Sequence, residues 1–462
     1  MEAKQQDLQK GLLPRHVQFM ALAGMIGTGI FKGSSETLNM AGPSVVIAYL
    51  IGGLLLFIVM AALAEMASVY PNVNVQGLVY KAFGYRPSFI VGWLYWINWI
   101  LVITVELIAA ASFLQYWFPD VPLWVLSLIC TAIIVSINLF PVKHFGEMEF
   151  WFAGIKILAL SLFIILGALI LFGAVPSSVG NPLTNLTGNG GFFPNGFSGM
   201  FAAFLVVIFS YGGAELIGVA VSETKDAKRV LPKVVKGTVF RVILFYALPI
   251  LIICGIMPWD QVTSESSPFV QVFDMAGIPG AADVMNFVLI TAVLSAANSG
   301  IYATSRTLFS LAKNGEAPKQ FMKISKHGIP LNGIMVGMLF ILAGVFLSFV
   351  TPDNVIGYLM AIPGFTIMIV WICLCGAQLK LRKQYKDTAS FQVKWHPYTT
   401  IFAMVALSSI FISFIFNADN IIGTIVCLIT LTIITISSFI FQTNKGKTAE
   451  NIHSNEQKRQ IS

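Results

Sequence analysis

Apolar runs of about twenty residues recur along almost the whole chain, from Val17 to Phe441. A bilayer core about 30 Å thick is crossed by a helix of about 20 such residues, so each run is a candidate span. Only 11% of the residues are charged and 56% are hydrophobic, where a soluble domain carries about 25% charged residues. A large water-soluble enzyme is excluded, and the chain is expected to be an all-α polytopic membrane protein. Bounding the runs by charges and turn residues gives twelve spans: 16-40, 44-66, 88-117, 122-140, 149-173, 198-222, 237-257, 283-305, 330-350, 354-380, 397-417 and 420-442. Residues 1-15 form a polar N-terminal segment without a signal-peptide pattern. Residues 443-462 lack apolar periodicity and are expected to be disordered.

Lys and Arg test the alternation. Of the 28, 26 lie in the N-terminal segment, in the connections after even-numbered spans, or in the tail. The exceptions are Lys32 in the first hairpin and Lys156 inside the fifth span. The opposite connections carry Asp120, Asp260, Glu265, Asp274, Asp283, Asp353 and Asp419. By the positive-inside rule both termini are expected on the cytoplasmic side of a cell-membrane protein. The net charge of +7 is thus topological and implies no nucleic-acid partner. Cys130, Cys254, Cys373, Cys375 and Cys427 lie in or beside apolar runs and read as small hydrophobes rather than a disulfide framework. The segment SETKDAKRVLPK after the sixth span reads as a solvated inner loop, and Asn185-Leu186-Thr187 as a chance sequon.

Midway along the first span stands Gly24-Met25-Ile26-Gly27-Thr28-Gly29-Ile30-Phe31. Glycine at this density breaks a helix, and broken backbone at membrane depth is tolerated only where it lines protein or a watery cavity. The freed groups can bind a ligand, since a half-helix N-terminus presents N–H groups and a positive dipole end to a carboxylate. The same glycines could instead serve close helix packing. The sixth span carries a comparable interruption, Phe209-Ser210-Tyr211-Gly212-Gly213-Ala214-Glu215. Interrupted spans at corresponding places in two halves point to a midplane substrate site in an inverted-repeat transporter.

Ionisable residues within spans cost about 2.5–3.5 kcal/mol each at a helix centre. Four stand out: Glu65, Glu106, Lys156 and Glu215. Lys156 either snorkels to the interface or, buried, changes protonation during a conformational cycle. Glu215 follows the second break directly. Glu106 lies in a helix with Trp93, Trp96 and Trp99, where it contacts substrate or locks two helices, and Glu65 reads as structural or gating.

GMIGTGIFKGSS, AGPSVVIAYLIGG, EMASVYP, FGEMEFWFAGIK, YGGAELIGVAVSETKDAKRVLPK and SAANSGIYATSRTLFSLAKNGEAPK follow in this order. Together they closely resemble the amino acid transporter family, the amino acid permeases, of the amino acid, polyamine and organocation superfamily. The resemblance covers about residues 10 to 440. It implies twelve helices in the five-plus-five inverted repeat shared with sodium-coupled neurotransmitter symporters, with helices 1 and 6 discontinuous. The repeats would cover about 16-173 and 198-380, with helices 11 and 12 at about 397-442. It also implies proton-coupled amino acid uptake. Carried over, the substrate carboxylate meets the N–H groups of Thr28 and Gly29 beside Ile26 and Gly27, and the amine meets carbonyls of Met25 and of Ser210, Tyr211 and Gly212. Phe209 matches an aromatic that closes over substrate, and Lys156 a lysine that stands where sodium-coupled relatives hold an ion. Two departures are Asn72-Val73-Asn74-Val75-Gln76 where Ser-Gly-Ser is usual, and AALAEM in place of RALGEM.

The expectation is a secondary transporter importing a neutral L-amino acid by proton symport, with Glu106 at the substrate site and Lys156 and Glu215 in proton coupling. An exchanger or a cationic amino acid permease is the alternative. Its partners are the amino acid, the proton and the lipid bilayer, and no cofactor or metal is expected. No HExxH, GxSxG or P-loop pattern supports an enzyme, and no nucleotide-binding domain an ATP-driven pump. The side-chain pocket is expected from spans 1, 3, 6, 8 and 10. Oligomeric state is open.

Overall fold

The computed structural model describes residues 24–71, 73–139, 142–174, 181–216, 235, 237, 240–264, 266–325, 328–350, 355–385, 389–416 and 421–460. Among these, every regular element is helical. Residues 16–23 of the first expected span, Asn72, the inner end of the sixth span with its SETKDAKRVLPK loop, and Glu265, Asp353 and Asp419 lie outside the described residues.

The chain is helical at Gly24 and Met25, leaves the helix at Ile26 and Gly27, and resumes as α1 (Thr28–Phe31) and α2 (Gly33–Ala41). Gly42, at φ +59°, turns it into α3 (Val45–Val69), a conformation that glycine adopts without steric cost. A short helix α4 (Val75–Phe83) starts where Asn74 Oδ1 accepts the Gly77 N–H at 2.9 Å, an N-cap bond. The long helices α5 (Tyr85–Leu114), α6 (Leu123–Ile137) and α7 (Val142–Leu171) complete the first half.

The second half begins with α8 (Pro182–Thr187) and α9 (Gly196–Tyr211). A π-helical turn, Ile243–Ala247, leads into α10 (Leu248–Ile256) and α11 (Pro268–Ala276). Then come α12 (Ala281–Lys313), α13 (Leu331–Val350), α14 (Val355–Tyr385), α15 (Tyr398–Ile415) and α16 (Ile421–Gln460). The last helix runs on through the polar tail expected to lack structure. That stretch has no proline to stop a helix already nucleated in the apolar segment.

Among the described residues, seven helical stretches are long and apolar enough to cross a bilayer: Gly33–Val69, Tyr85–Leu114, Gly146–Leu171, Ala281–Lys313, Ile362–Tyr385, Tyr398–Ile415 and Gly423–Gln442. Shorter apolar helices occur at Leu123–Ile137, Gly196–Tyr211, Phe240–Ile256 and Leu331–Leu347. On α7, Trp151, Ile155, Leu158, Leu162, Ile165 and Leu169 are all exposed and recur every three or four residues. A continuous apolar stripe facing outward fits lipid rather than water. The chain is an integral membrane protein.

The centre is built on α5, against which both α12 and α14 pack along much of their length. Helix α9 packs on α2, α3 and α14, which brings the two interrupted segments together. At one end of α3, Glu65 is fully buried and accepts from the Val393 N–H at 2.6 Å, Arg382 Nη1 at 3.1 Å and Gln378 Nε2 at 3.1 Å. It therefore locks α3 to α14 and to the chain that follows α14. Because removing one partner of a buried ion pair strands the other, Glu65→Ala is expected to cost about 3–5 kcal/mol. Thermal unfolding of the purified protein checks this, and an undiminished midpoint would show that the cluster carries no stability.

Candidate substrate site

Gly27 is extended, with φ −147° and ψ −150°, and α1 begins at Thr28. The first amides of a helix have no acceptor within it. Here the acceptor comes from α5: the Thr28 N–H lies 3.0 Å from both Oε atoms of Glu106, and Thr28 Oγ1 donates to Glu106 Oε2 at 2.7 Å. A carboxylate at this end of a half-helix also answers its dipole. The carbonyl groups set free by the breaks are met from the π-helical turn. Tyr246 donates its hydroxyl to the Met25 carbonyl at 2.7 Å, and the same oxygen lies 3.1 Å from the Ser210 carbonyl. π-Helical turns often mark functional sites.

The two breaks touch backbone to backbone. A Cβ on Gly29 would lie 2.5 Å from Ser210 Cα, and one on Gly24 would lie 3.2 Å from the Gly213 carbonyl oxygen. On Gly27 it would collide with the Glu106 carboxylate. Close packing is thus one role these glycines fill. Gly213, at φ +103°, occupies a conformation that L side chains avoid.

Between the breaks lies a cleft lined by Met25, Gly29, Glu106, Phe209, Ser210 and Gly212, all named from the sequence. Its free space is about 10 Å³, at the threshold for one water molecule. Sequence reasoning missed Asn98, Trp99 and Val102 on α5 and Pro363 and Ile367 on α14, which also line it. Pro363 inside α14 was a visible signal, because an in-helix proline frees a carbonyl and kinks the rod. Thr366 Oγ1 donates to Asn98 Oδ1 at 3.0 Å and so ties α14 to α5 beside the cleft.

Other expected residues stand elsewhere. Ile26 is buried in the bend, and Tyr211 turns from the cleft, donating to the Tyr49 carbonyl at 2.6 Å and packing on Tyr246 with ring centroids 4.8 Å apart. Phe209 lies at the cleft wall and packs with Val105, Ile108, Leu359 and Met360. The eighth span, expected to line the pocket, does not do so. Its helix α12 lies behind α5, where a Cβ on Gly300 would sit 3.0 Å from the Trp99 ring, so Trp99 stands between α12 and the cleft. Lys156 is fully buried rather than snorkelling. Its charge partners are Glu149 and Glu106. Glu215 is buried separately, accepting the Gly213 N–H at 3.2 Å within the second break. The unusual Asn74 and Gln76 join α4 to the end of α12: Asn74 Nδ2 donates to Ser310 Oγ at 2.8 Å and Gln76 donates to Glu316.

The sequence matches the family described as Amino acid permease over residues 16–457. The chain belongs to the amino acid permease family. An uncharacterized amino acid permease of Bacillus subtilis, YvbW, is 44% identical over 94% of this chain and 97% of its own length. The γ-aminobutyric acid permease of B. subtilis is 39% identical over 90% of each chain, and the D-serine/D-alanine/glycine transporter of Escherichia coli K12 is 38% identical over 82% of each. The permease is therefore a transporter and not an enzyme.

A side chain at either glycine that flanks Thr28 would push the carboxylate or the second break away from the amide. Gly27→Leu and Gly29→Leu are each expected to weaken amino acid binding at least about a hundredfold, about 2.7 kcal/mol, with membrane insertion intact. Equilibrium binding to detergent-solubilised protein checks it, and wild-type affinity in either variant would remove the broken helix from the site.

Proposed function

We propose that this permease imports a neutral L-amino acid with a proton by alternating access. Twelve spans form a five-plus-five inverted repeat, with both termini on the cytoplasmic side of the cell membrane. The observation that carries the reading is the double occupation of the breaks: a carboxylate of the protein sits on the Thr28 amide and hydroxyl, and a hydroxyl of the protein bridges the Met25 and Ser210 carbonyls. A carboxylate and a hydrogen-bond donor side by side are the two ends of an amino acid backbone. The incoming carboxylate takes the place of Glu106 on the amides of Thr28 and Gly29, and the incoming ammonium takes that of Tyr246 on the carbonyls of Met25, Ser210 and their neighbours Tyr211 and Gly212. Exchanging these internal partners for substrate keeps the backbone groups satisfied throughout, which a low-dielectric site requires.

The walls favour an uncharged side chain. Among the described residues, the polar side chains lining the cleft besides Glu106 and Ser210 are Asn98 and the Trp99 indole, set among Val102, Phe209, Pro363 and Ile367. Relatives named for γ-aminobutyric acid, for threonine and serine, and for D-serine, D-alanine and glycine fit the same preference. The narrow cleft requires the helices to part for entry, with Phe209 as the face that closes over the bound molecule.

Coupling is assigned to Lys156. Once Glu106 leaves the Thr28 amide it needs another partner, and Lys156 is the cation within its electrostatic reach. A proton gained or lost there changes how tightly the two are drawn together. Glu215, bonded inside the second break, then holds that break in shape. Lys156→Ala is expected to lower accumulation driven by an inward proton gradient at least about tenfold in sodium-free liposomes, a clearly larger loss than that of counterflow. Strict sodium dependence, or undiminished accumulation by the variant, would overturn the assignment. In the same assay, Phe209→Ala is expected to raise the apparent KM about tenfold and Phe209→Tyr to stay near the wild type. An alanine variant with unchanged KM would reduce Phe209 to packing.

A further inference from the structure

Glu149 lies seven residues before Lys156 on α7. Seven residues are two helical turns, so the two side chains share a face and their backbones lie about 10 Å apart along the axis. Glu149 is fully buried, as is Lys156. Its carboxylate accepts from Ser295 Oγ at 2.9 Å and from Asn298 Nδ2 at 2.7 Å, both on α12. Asn298 Oδ1 in turn accepts from Asn138 Nδ2 at 2.6 Å, at the end of α6. A line of polar side chains thus runs from the end of α6 through Glu149 towards Lys156 and Glu106.

The neighbours of Glu149 sharpen its meaning. The groups that α12 presents to it are uncharged, Ser295, Asn298 and the neighbouring Ser299, and Asn138 of α6 reaches it only through Asn298. The charges are Lys156 on its own helix and, beyond Lys156, Glu106 on α5. The π-helical turn that packs on α7 brings Tyr246 to the site side. Two neutral donors would serve a purely structural carboxylate, but they do not explain why an acid is placed two turns from a buried amine and away from the substrate cleft. A buried charge costs several kcal/mol even after relaxation, and inside a membrane protein such acids commonly belong to proton relays.

The geometry points to Glu149 as the carboxylate through which the proton carried by Lys156 leaves for the inner side of the membrane. This deepens the proton-symport reading and rests on it. In the step, Lys156 Nζ gives one proton to a Glu149 carboxylate oxygen, leaving a neutral amine and a neutral carboxylic acid. The acid then releases the proton to water at the inner end of α6, and its charge returns to the Ser295 and Asn298 donors. Glu149 touches no substrate; it acts on transport through Lys156.

The test uses full-length protein in sodium-free liposomes with the amino acid, among the twenty, that gives the highest wild-type counterflow. E149Q keeps size and the ability to accept from Ser295 but cannot carry a proton. Accumulation driven by an inward proton gradient is expected to fall at least about tenfold, counterflow no more than about threefold, and E149D to recover part of the accumulation. E149Q accumulating like the wild type, while K156A does not, overturns the relay and leaves the symport reading standing. Equal loss of counterflow and accumulation in E149Q also overturns it, since that is the mark of a structural role. A wild type indifferent to the gradient overturns the symport reading and the relay with it.

Discussion

A helix that stops inside a low-dielectric medium leaves amide and carbonyl groups that water cannot reach, each costing several kcal/mol if left alone. In this permease the debt is met by two side chains from other helices. Glu106 of α5 holds the Thr28 amide, and Tyr246 of the π-helical turn bridges Met25 to Ser210. Much else follows from these contacts. The helix carrying Glu106 must pass beside the first break, which places α5 at the centre with α12 behind it and α14 before it. The breaks must lie close enough for one hydroxyl to reach both, which demands glycine at Gly24, Gly29 and Gly213.

Charge is handled by the same economy. Glu65 is surrounded by Arg382, Gln378 and the Val393 amide, all from α14 and the chain after it. Glu149 is held by Ser295 and Asn298, and Glu215 by the Gly213 amide. Each buried acid has hydrogen-bond donors fixed by the fold, as buried charges require. Lys156 has two acids within electrostatic reach, Glu106 at the cleft and Glu149 two turns away on its own helix. That arrangement separates Lys156 and the two acids it faces, which can exchange a proton or a partner, from Glu65 and Glu215, which brace helices.

Several parts of this arrangement were legible in the chain. The breaks showed as glycine clusters, the buried ionisable groups as charges inside apolar runs, and the family as an ordered set of motifs. Other parts were hidden because their partners are far apart in sequence. The cation beside Glu65 comes from Arg382, 317 positions away, where AALAEM offers no local arginine. Tyr246 sits in an ordinary apolar run, and nothing in its spacing announces that its hydroxyl reaches two carbonyls. Glu149 could have been found, since an acid two turns from an intramembrane lysine is a readable pattern. The eighth helix was expected at the pocket and lies behind Trp99 instead, a matter of which face of α5 it packs against.

Composition and apolar periodicity by themselves determined that this chain folds as helices in a bilayer, and glycine placement determined where two of them break, because both follow from local backbone chemistry and from the cost of bare polar groups in lipid. Only the tertiary structure decided which side chains answer those breaks. That choice depends on contacts such as Thr28 with Glu106, 78 residues apart, and Tyr246 with Met25, 221 apart, which no local pattern encodes.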